Sequence, residues 1–251
     1  MEFMTELSVD TLVALPPAGG SASVVRPWRP HLDRATRIMV PNVRRILCDL
    51  ESSGPVPPPE EGGRLRQVAQ VVSEQLPQTP YVLAGHSLGG LLAVEAAAAR
   101  QVAGDRMPCA VVVMGSRPPM QGTAQLFQPL LSLDDAAFLN VMVAMGAAAQ
   151  DLVDSHAGAL FIPTLRRDIR LVCGYSPRPT DVTRLTVPLH AWHADQDLVA
   201  PLECAPHWAM HAGAGFHTRV FQGFHNFPQE QGELVGAGLQ KLLSLYRLSG
   251  K

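Results

Sequence analysis

Gly85-His86-Ser87-Leu88-Gly89 is the stretch of this chain with the clearest chemical reading. A serine hydroxyl is a weak nucleophile until a base takes its proton and N–H groups stabilise the oxyanion that follows. A G-x-S-x-G run supplies that setting when it joins a strand to a helix. The tight turn holds Ser87 strained with Oγ exposed, Gly85 and Gly89 let the backbone turn closely, and the helix N-terminus adds free N–H groups. With 21 Gly and 13 Ser in 251 residues, the bare pattern arises by chance about 0.1 times. Its surroundings must therefore carry the argument. Residues 81–84 are apolar and read as a strand, and the Ala-rich run from 88 to about 100 reads as a helix. The plain alternative is a helix N-cap serine after a Gly-rich turn.

A nucleophilic serine needs a base, and the base needs an orienting carboxylate, in the order Ser, Asp, His for this kind of turn. Gly223-Phe224-His225-Asn226 follows a predicted strand at 216–221. That puts His225 at a strand's carboxyl end, where ligands bind in open α/β sheets. The preceding predicted strand, 187–192, runs into His193-Ala194-Asp195-Gln196-Asp197, so two aspartates compete for the carboxylate role. His190, His193, Asp195 and Asp197 could also be metal ligands. However, period-2 strand geometry sends His190 and His193 to opposite faces, and no metal or other cofactor is expected. The second oxyanion donor should come from the loop after an early strand, Pro16-Pro17-Ala18-Gly19-Gly20. Pro17 has no N–H, so Ala18 N–H is the candidate, paired with Leu88 N–H.

These residues need a scaffold, and the chain reads as α/β with a mainly parallel sheet. Short apolar runs at 11–15, 37–40, 81–84, 109–114, 187–192 and 216–221 alternate with helical spacing at 61–76, 88–100 and 234–248. Between about 118 and 179 strand grammar disappears, and helical patterns at 134–145 and 152–165 suggest a helical lid inserted over the sheet. We therefore expect one domain over 1–251, with the lid at about 118–179. A second Met at position 4 suggests that Met1–Phe3 are a cloning remnant. The net charge of −2 gives no footprint for nucleic acid or anionic membrane. Neither a signal peptide nor an apolar run long enough to span a bilayer is read. Cys48, Cys109, Cys173 and Cys204 stand far apart, which fits a reduced, cytoplasmic protein.

Four stretches together resemble the stand-alone type II thioesterases of polyketide and non-ribosomal peptide synthesis: LPPAGGSASVVRPW (15–28), GHSLGG (85–90), DQDLVAP (195–201) and GFHNF (223–227). FIPTLRRDIRLVCGY (161–175) is similar to the end of that family's lid. The resemblance implies an α/β-hydrolase fold with helices on both faces of the sheet and a helical lid. It also implies hydrolysis of acyl thioesters on the phosphopantetheine arm of acyl or peptidyl carrier proteins, clearing stalled or misprimed chains. Carried over by position, it makes Ser87 the nucleophile, Asp197 the orienter and His225 the base, with Ala18 and Leu88 at the oxyanion hole. Pro17 stands where the family often has a polar residue, and Ala194 where many relatives have Gly. Within the lid, Phe138, Met142, Met145 and Leu160 are the expected acyl-pocket residues. Arg26, Arg29, Arg166, Arg167, Arg170 and Arg178 are the expected candidates for meeting an acidic carrier. A carboxylesterase or lipase with the same triad is the alternative, and a non-catalytic binding protein on the same fold is a third.

Overall fold

The computed structural model describes residues 9–52, 54–58, 62–119, 121–153, 155–175 and 183–248. Six strands form one sheet: β1 (Thr11–Leu15), β2 (Arg37–Met39), β3 (Tyr81–His86), β4 (Ala110–Met114), β5 (Leu189–Ala194) and β6 (Phe216–Phe221). All pairings are parallel, in the order β2-β1-β3-β4-β5-β6. The four inner strands are buried along their whole length. That is why they read as continuous apolar runs rather than alternating ones: helices cover both faces. β6, at the edge, is largely open to solvent, with Phe221 its one buried residue.

Period 2 divides the inner strands between two cores. Val13, Leu83, Val111 and Val113 pack under α1 (Val43–Glu51), α2 (Gly63–Gln75) and α3 (Leu88–Ala103), against Leu65, Val68 and Leu92. Leu12, Ala14, Val82 and Val112 face the other way, onto Trp28 and onto Leu239 and Leu243 of a C-terminal helix. Each such side chain contributes roughly 1.5–3 kcal/mol by leaving water.

Five further α-helices follow among the described residues. In the insertion between β4 and β5 these are α4 (Thr123–Phe127), α5 (Asp135–Ala144) and α6 (His156–Cys173). A short α7 (Phe227–Glu230) then precedes the C-terminal α8 (Gly232–Leu248). Asp134 caps α5 by accepting the Ala137 N–H, and Ser155 caps α6 by accepting the Gly158 N–H. Phe138, Leu139, Met142, Ile162, Leu165 and Ile169 form the insertion's own apolar cluster.

The sequence reading and the structure differ in places. Helix α1 was not anticipated; Asn42 starts it by accepting the Arg45 N–H. Helix α6 begins and ends later than the pattern at 152–165 suggested, and continues through Pro163. Strand β5 starts two residues later than expected and reaches Ala194. A run of 3₁₀ turns at Leu202–His211 lies outside the elements expected from the sequence. The end of the expected lid, at 176–179, lies outside the described residues, as does Arg178. No described helix is long and apolar enough to cross a membrane, and all four cysteines are free thiols.

Candidate active site

The chain runs from β1 outward to β2, then crosses back to β3 and continues to β6 on the other side. The reversal falls between β1 and β3, so the loops leaving those two strands diverge around a crevice, the usual ligand position in such sheets. One loop is Pro16–Gly20; the other is the turn at Ser87.

Ser87 has φ 54 and ψ −116, and it is the one non-glycine residue with positive φ among those described. That conformation is strained for an L-residue and persists only where its surroundings fix it. Here they do. Ser87 N–H donates to Met114 carbonyl at 2.9 Å, and Ser87 carbonyl accepts from Ser116 Oγ at 2.9 Å. Both partners belong to the end of β4. The flanking glycines are required by close approach. A Cβ on Gly85 would stand 2.0 Å from Gly89 carbonyl oxygen, and one on Gly89 would stand 2.2 Å from Leu15 carbonyl oxygen. Leu88 opens α3, so its N–H is one of those with no partner inside the helix. No described acceptor takes the N–H of Ala18.

His225 and Asp197 leave the adjacent strands β6 and β5. His225 Nδ1 lies 2.9 Å from Asp197 Oδ2 and 3.1 Å from Oδ1, and both side chains are buried. Asp197 Oδ1 also accepts the N–H groups of Val199 at 2.8 Å and Ala200 at 2.9 Å. Burial pushes this carboxyl up, but the His225 hydrogen bond and those two N–H groups outweigh it and hold it below the usual carboxylate range. Of the two competing aspartates, Asp197 is therefore the one that reaches the histidine. Asp195 accepts the Gly223 N–H at 2.8 Å and braces the loop below.

β4 and β5 stand between β3 and β6, and the Asp197–His225 pair lies over the end of β4. Gly115 makes this possible. At φ 51 it turns the chain away, and a Cβ there would come within 3.2 Å of Asp197 Oδ2 and 3.4 Å of His225 Nδ1. His86 secures the other side. It is fully buried, its Nε2 lies 3.0 Å from His225 carbonyl oxygen, and the two rings are 5.0 Å apart. The carbonyl can only accept, so Nε2 carries the proton. Burial, and then the neighbouring His225, push the His86 pKa down to about 3.

Ser87, Leu88, Ala18, His86 and His225 all line one cavity of about 570 Å³, counting its open mouth. Its remaining walls are mostly apolar: Leu91 of α3, Phe127 of α4, Met142 of α5, and Leu165, Ile169 and Val172 of α6.

Residues 10–241 match the family model described as a thioesterase domain. The chain belongs to the thioesterase domain family. It is 32% identical over 148 residues to thioesterase PikA5 of Streptomyces venezuelae, a match covering 59% of this chain and 51% of that one. Against a probable cadicidin biosynthesis thioesterase of Streptomyces griseus it is 28% identical over 236 residues, covering 92% and 62%. The matches therefore span about half to three-fifths of those curated relatives' length. The solved structure of RedJ, a thioesterase from the prodiginine biosynthetic pathway of Streptomyces coelicolor, superposes with a TM-score of 0.74 at 25% identity, covering 92% of this chain and 85% of that one. The chain thus has the α/β-hydrolase fold, with a parallel sheet covered on both faces.

Of the four expected acyl-pocket residues, one lines this cavity: Met142. Phe138 has no exposed surface but packs in the lid's interior, under the Arg166 guanidinium at 4.2 Å. Met145 packs against the same cluster without reaching the cavity. Leu160 is 67% exposed, on the solvent face of α6. Helical spacing identified apolar lid residues but not which side of each helix faces the serine. Leu165, Ile169 and Val172 were within the motif at 161–175 and follow i, i+4, i+7; that spacing was the available signal.

The arginines also separate. Arg29 donates to the carbonyls of Asp33, Arg34 and Thr36. Arg166 pairs with Asp135 and holds the carbonyls of Leu131 and Leu133. Arg167 donates to Cys48 and lies 4.0 Å from Glu51. These three are occupied within the fold, whereas Arg26 and Arg170 are exposed.

Proposed function

We propose that this chain is a serine thioesterase that releases acyl groups from the phosphopantetheine arm of acyl or peptidyl carrier proteins, clearing stalled or misprimed chains in polyketide or non-ribosomal peptide synthesis. The observation that carries the reading is the buried Asp197–His225 pair at the cavity lined by a strained Ser87. Family membership and the biosynthetic relatives support it. We read the helices between β4 and β5 as a lid inserted in a single hydrolase domain.

The chemistry follows from the hydrogen bonds. Asp197 accepts only, so His225 Nδ1 carries the proton and Nε2 presents a lone pair. Ser87 Oγ attacks the thioester carbon while Nε2 takes its proton. The tetrahedral oxyanion is met by the N–H groups of Ala18 and Leu88. Collapse breaks the C–S bond, and the imidazolium returns its proton to the departing thiolate. Water, deprotonated by Nε2, then attacks the acyl-enzyme, and the fatty or polyketide acid leaves with Ser87 restored.

The test is a panel of acyl-loaded carrier proteins against p-nitrophenyl esters of the same acyl groups. The reading expects kcat/KM to be clearly higher on the carrier substrates. A preference for the free esters would point to a carboxylesterase.

A further inference from the structure

The lid helix α6 does more than roof the cavity. Gly19 N–H donates to Asp168 Oδ2 at 2.8 Å, a bond from the loop after β1 to a side chain 149 residues later. Asp168 is 6% exposed; its other oxygen has no hydrogen-bond partner among the described residues and lies 3.9 Å from Arg167 Nε. Burying a carboxylate costs stability unless it is paired and hydrogen-bonded. The only hydrogen bond it makes here is to the Gly19 peptide.

That peptide belongs to a tight turn. Gly20 N–H donates to Pro17 carbonyl at 2.9 Å, and Gly19 has φ 72. A positive φ at the third position fits a type II turn, whose central peptide is flipped relative to type I. The Pro17–Ala18 peptide, whose N–H is that of the cavity-lining Ala18, is fixed by the Gly20 bond; the Ala18–Gly19 peptide is fixed by the Asp168 bond. The same face of α6 presses on the turn through Phe161 and Leu165, at i, i+4 and i+7 with Asp168. A Cβ on Gly19 would stand 2.4 Å from the Phe161 ring.

We propose that Asp168 is a positioning residue for the oxyanion loop: through Gly19 N–H, lid helix α6 sets the turn that aims Ala18 N–H at the reacting oxygen. The oxyanion hole is then assembled from sheet and lid together. Ala18 N–H is in place while α6 lies on the turn, and lifting the helix releases it. The proposal rests on the serine reading above, with Ala18 as an oxyanion donor.

The experiment uses the full chain and a small acyl-N-acetylcysteamine thioester, so that carrier docking plays no part. Asp168→Leu removes the acceptor at similar volume, and Asp168→Asn keeps an acceptor oxygen. In folded protein, checked by thermal melting, Asp168→Leu should lower kcat about 10²-fold, the scale of a misplaced or lost oxyanion donor. KM should stay within about threefold and Asp168→Asn within about fivefold of wild type, because ground-state binding does not use the donor. Affinity for an alkyl boronate that forms a tetrahedral adduct on Ser87 should fall in parallel with kcat. If Asp168→Leu does not fold, Asp168→Ser, whose hydroxyl is too short to reach Gly19, carries the same expectation. A folded Leu or Ser variant with wild-type kcat and boronate affinity overturns the proposal, whatever its melting temperature. Ser87→Ala is run alongside: if it still turns over the thioester, the serine reading itself has failed, and the Asp168 variants are not the cause.

Discussion

The two halves of the site are held by different parts of the molecule. Asp197, His225 and Ser87 are fixed by the sheet and its loops: their partners are the main-chain groups of Met114, Val199 and Ala200 and the side chains of Ser116 and His86, at strand ends or in the loops that leave them. The Ala18 loop has its turn bond, and beyond that it is held by α6, through Asp168 and Phe161. The proposed nucleophile and base are thus held by the most buried part of the chain, and the proposed oxyanion loop by a helix between β4 and β5. Variants in the first half should behave as all-or-none losses, and those in the second as graded ones.

The largest effect falls in the sheet-held half. Ser87→Ala should reduce hydrolysis of an acyl thioester by about 10³-fold or more in steady-state assays, with the fold intact by circular dichroism. Next, Asp197→Asn should cost on the order of 10²–10⁴ in kcat, because the imidazolium loses its charged partner and the histidine its tautomer. Asp195→Asn should stay within about threefold, since Asp195 only accepts a loop N–H. The reverse ranking would move the carboxylate role to Asp195 and break the contrast between the two loops. Gly115→Ala should fall between these. Its φ of 51 is strained for alanine, and the added methyl presses on Asp197 and His225. A loss of about 10- to 100-fold in kcat with little change in KM is expected.

Acid should also act through the sheet-held half. Burial pushes His86 down to about 3 and His190 and His211 each down to about 4, and it lowers His193 as well. The unfolded chain takes up protons at these sites below about pH 6.5, and the folded one does not until far lower. Their stabilising effect is therefore complete above pH 6.5 and lost as pH falls toward 4. Asp168, raised by burial, opposes this over a narrower window just above the ordinary carboxylate pKa. Asp197, held low, adds a further loss only below that window. Thermal melts should show Tm falling on the order of 10 °C between pH 7 and pH 4.5. A flat profile would mean that these imidazoles are not buried neutral.

The smallest effect concerns the rim. Arg26→Gln with Arg170→Gln should raise KM for an acyl carrier protein by a few-fold at low salt and leave small thioesters untouched. The difference should shrink between about 0.05 and 0.5 M salt. Arg29 and Arg166, already committed to internal partners, should affect stability instead.

Much of the sheet-held half was legible in the sequence. Strand-end loops sit at fixed points of an α/β pattern, so GHSLG after an apolar run and GFHN after another place Ser87 and His225 without any long-range information. The features that were not legible depend on three-dimensional juxtaposition. Gly115 looks like an ordinary residue after CAVVVM, and its need for a bare Cα arises from loops more than 80 residues away. Asp168 sits among arginines in the sequence and reads as a surface charge, although the fold buries it. Leu160 and Met142 are equally apolar on paper. Only the way α5 and α6 pack decides that one faces solvent and the other the serine. Helix α1 is hard to read because VRRILCDLE is only nine residues long and its start depends on the Asn42 cap.

The most direct test of the account is a rapid-quench reaction of the enzyme with an acyl-phosphopantetheinyl carrier protein, read by intact-mass and peptide mass spectrometry. The account predicts an acyl adduct on the peptide containing Ser87, followed by free acid. The adduct should be absent in Ser87→Ala, and it should form more slowly when Asp168 is replaced by Leu. Free acid released from the carrier by Ser87→Ala at the wild-type rate, with no adduct on the wild-type protein, would contradict it.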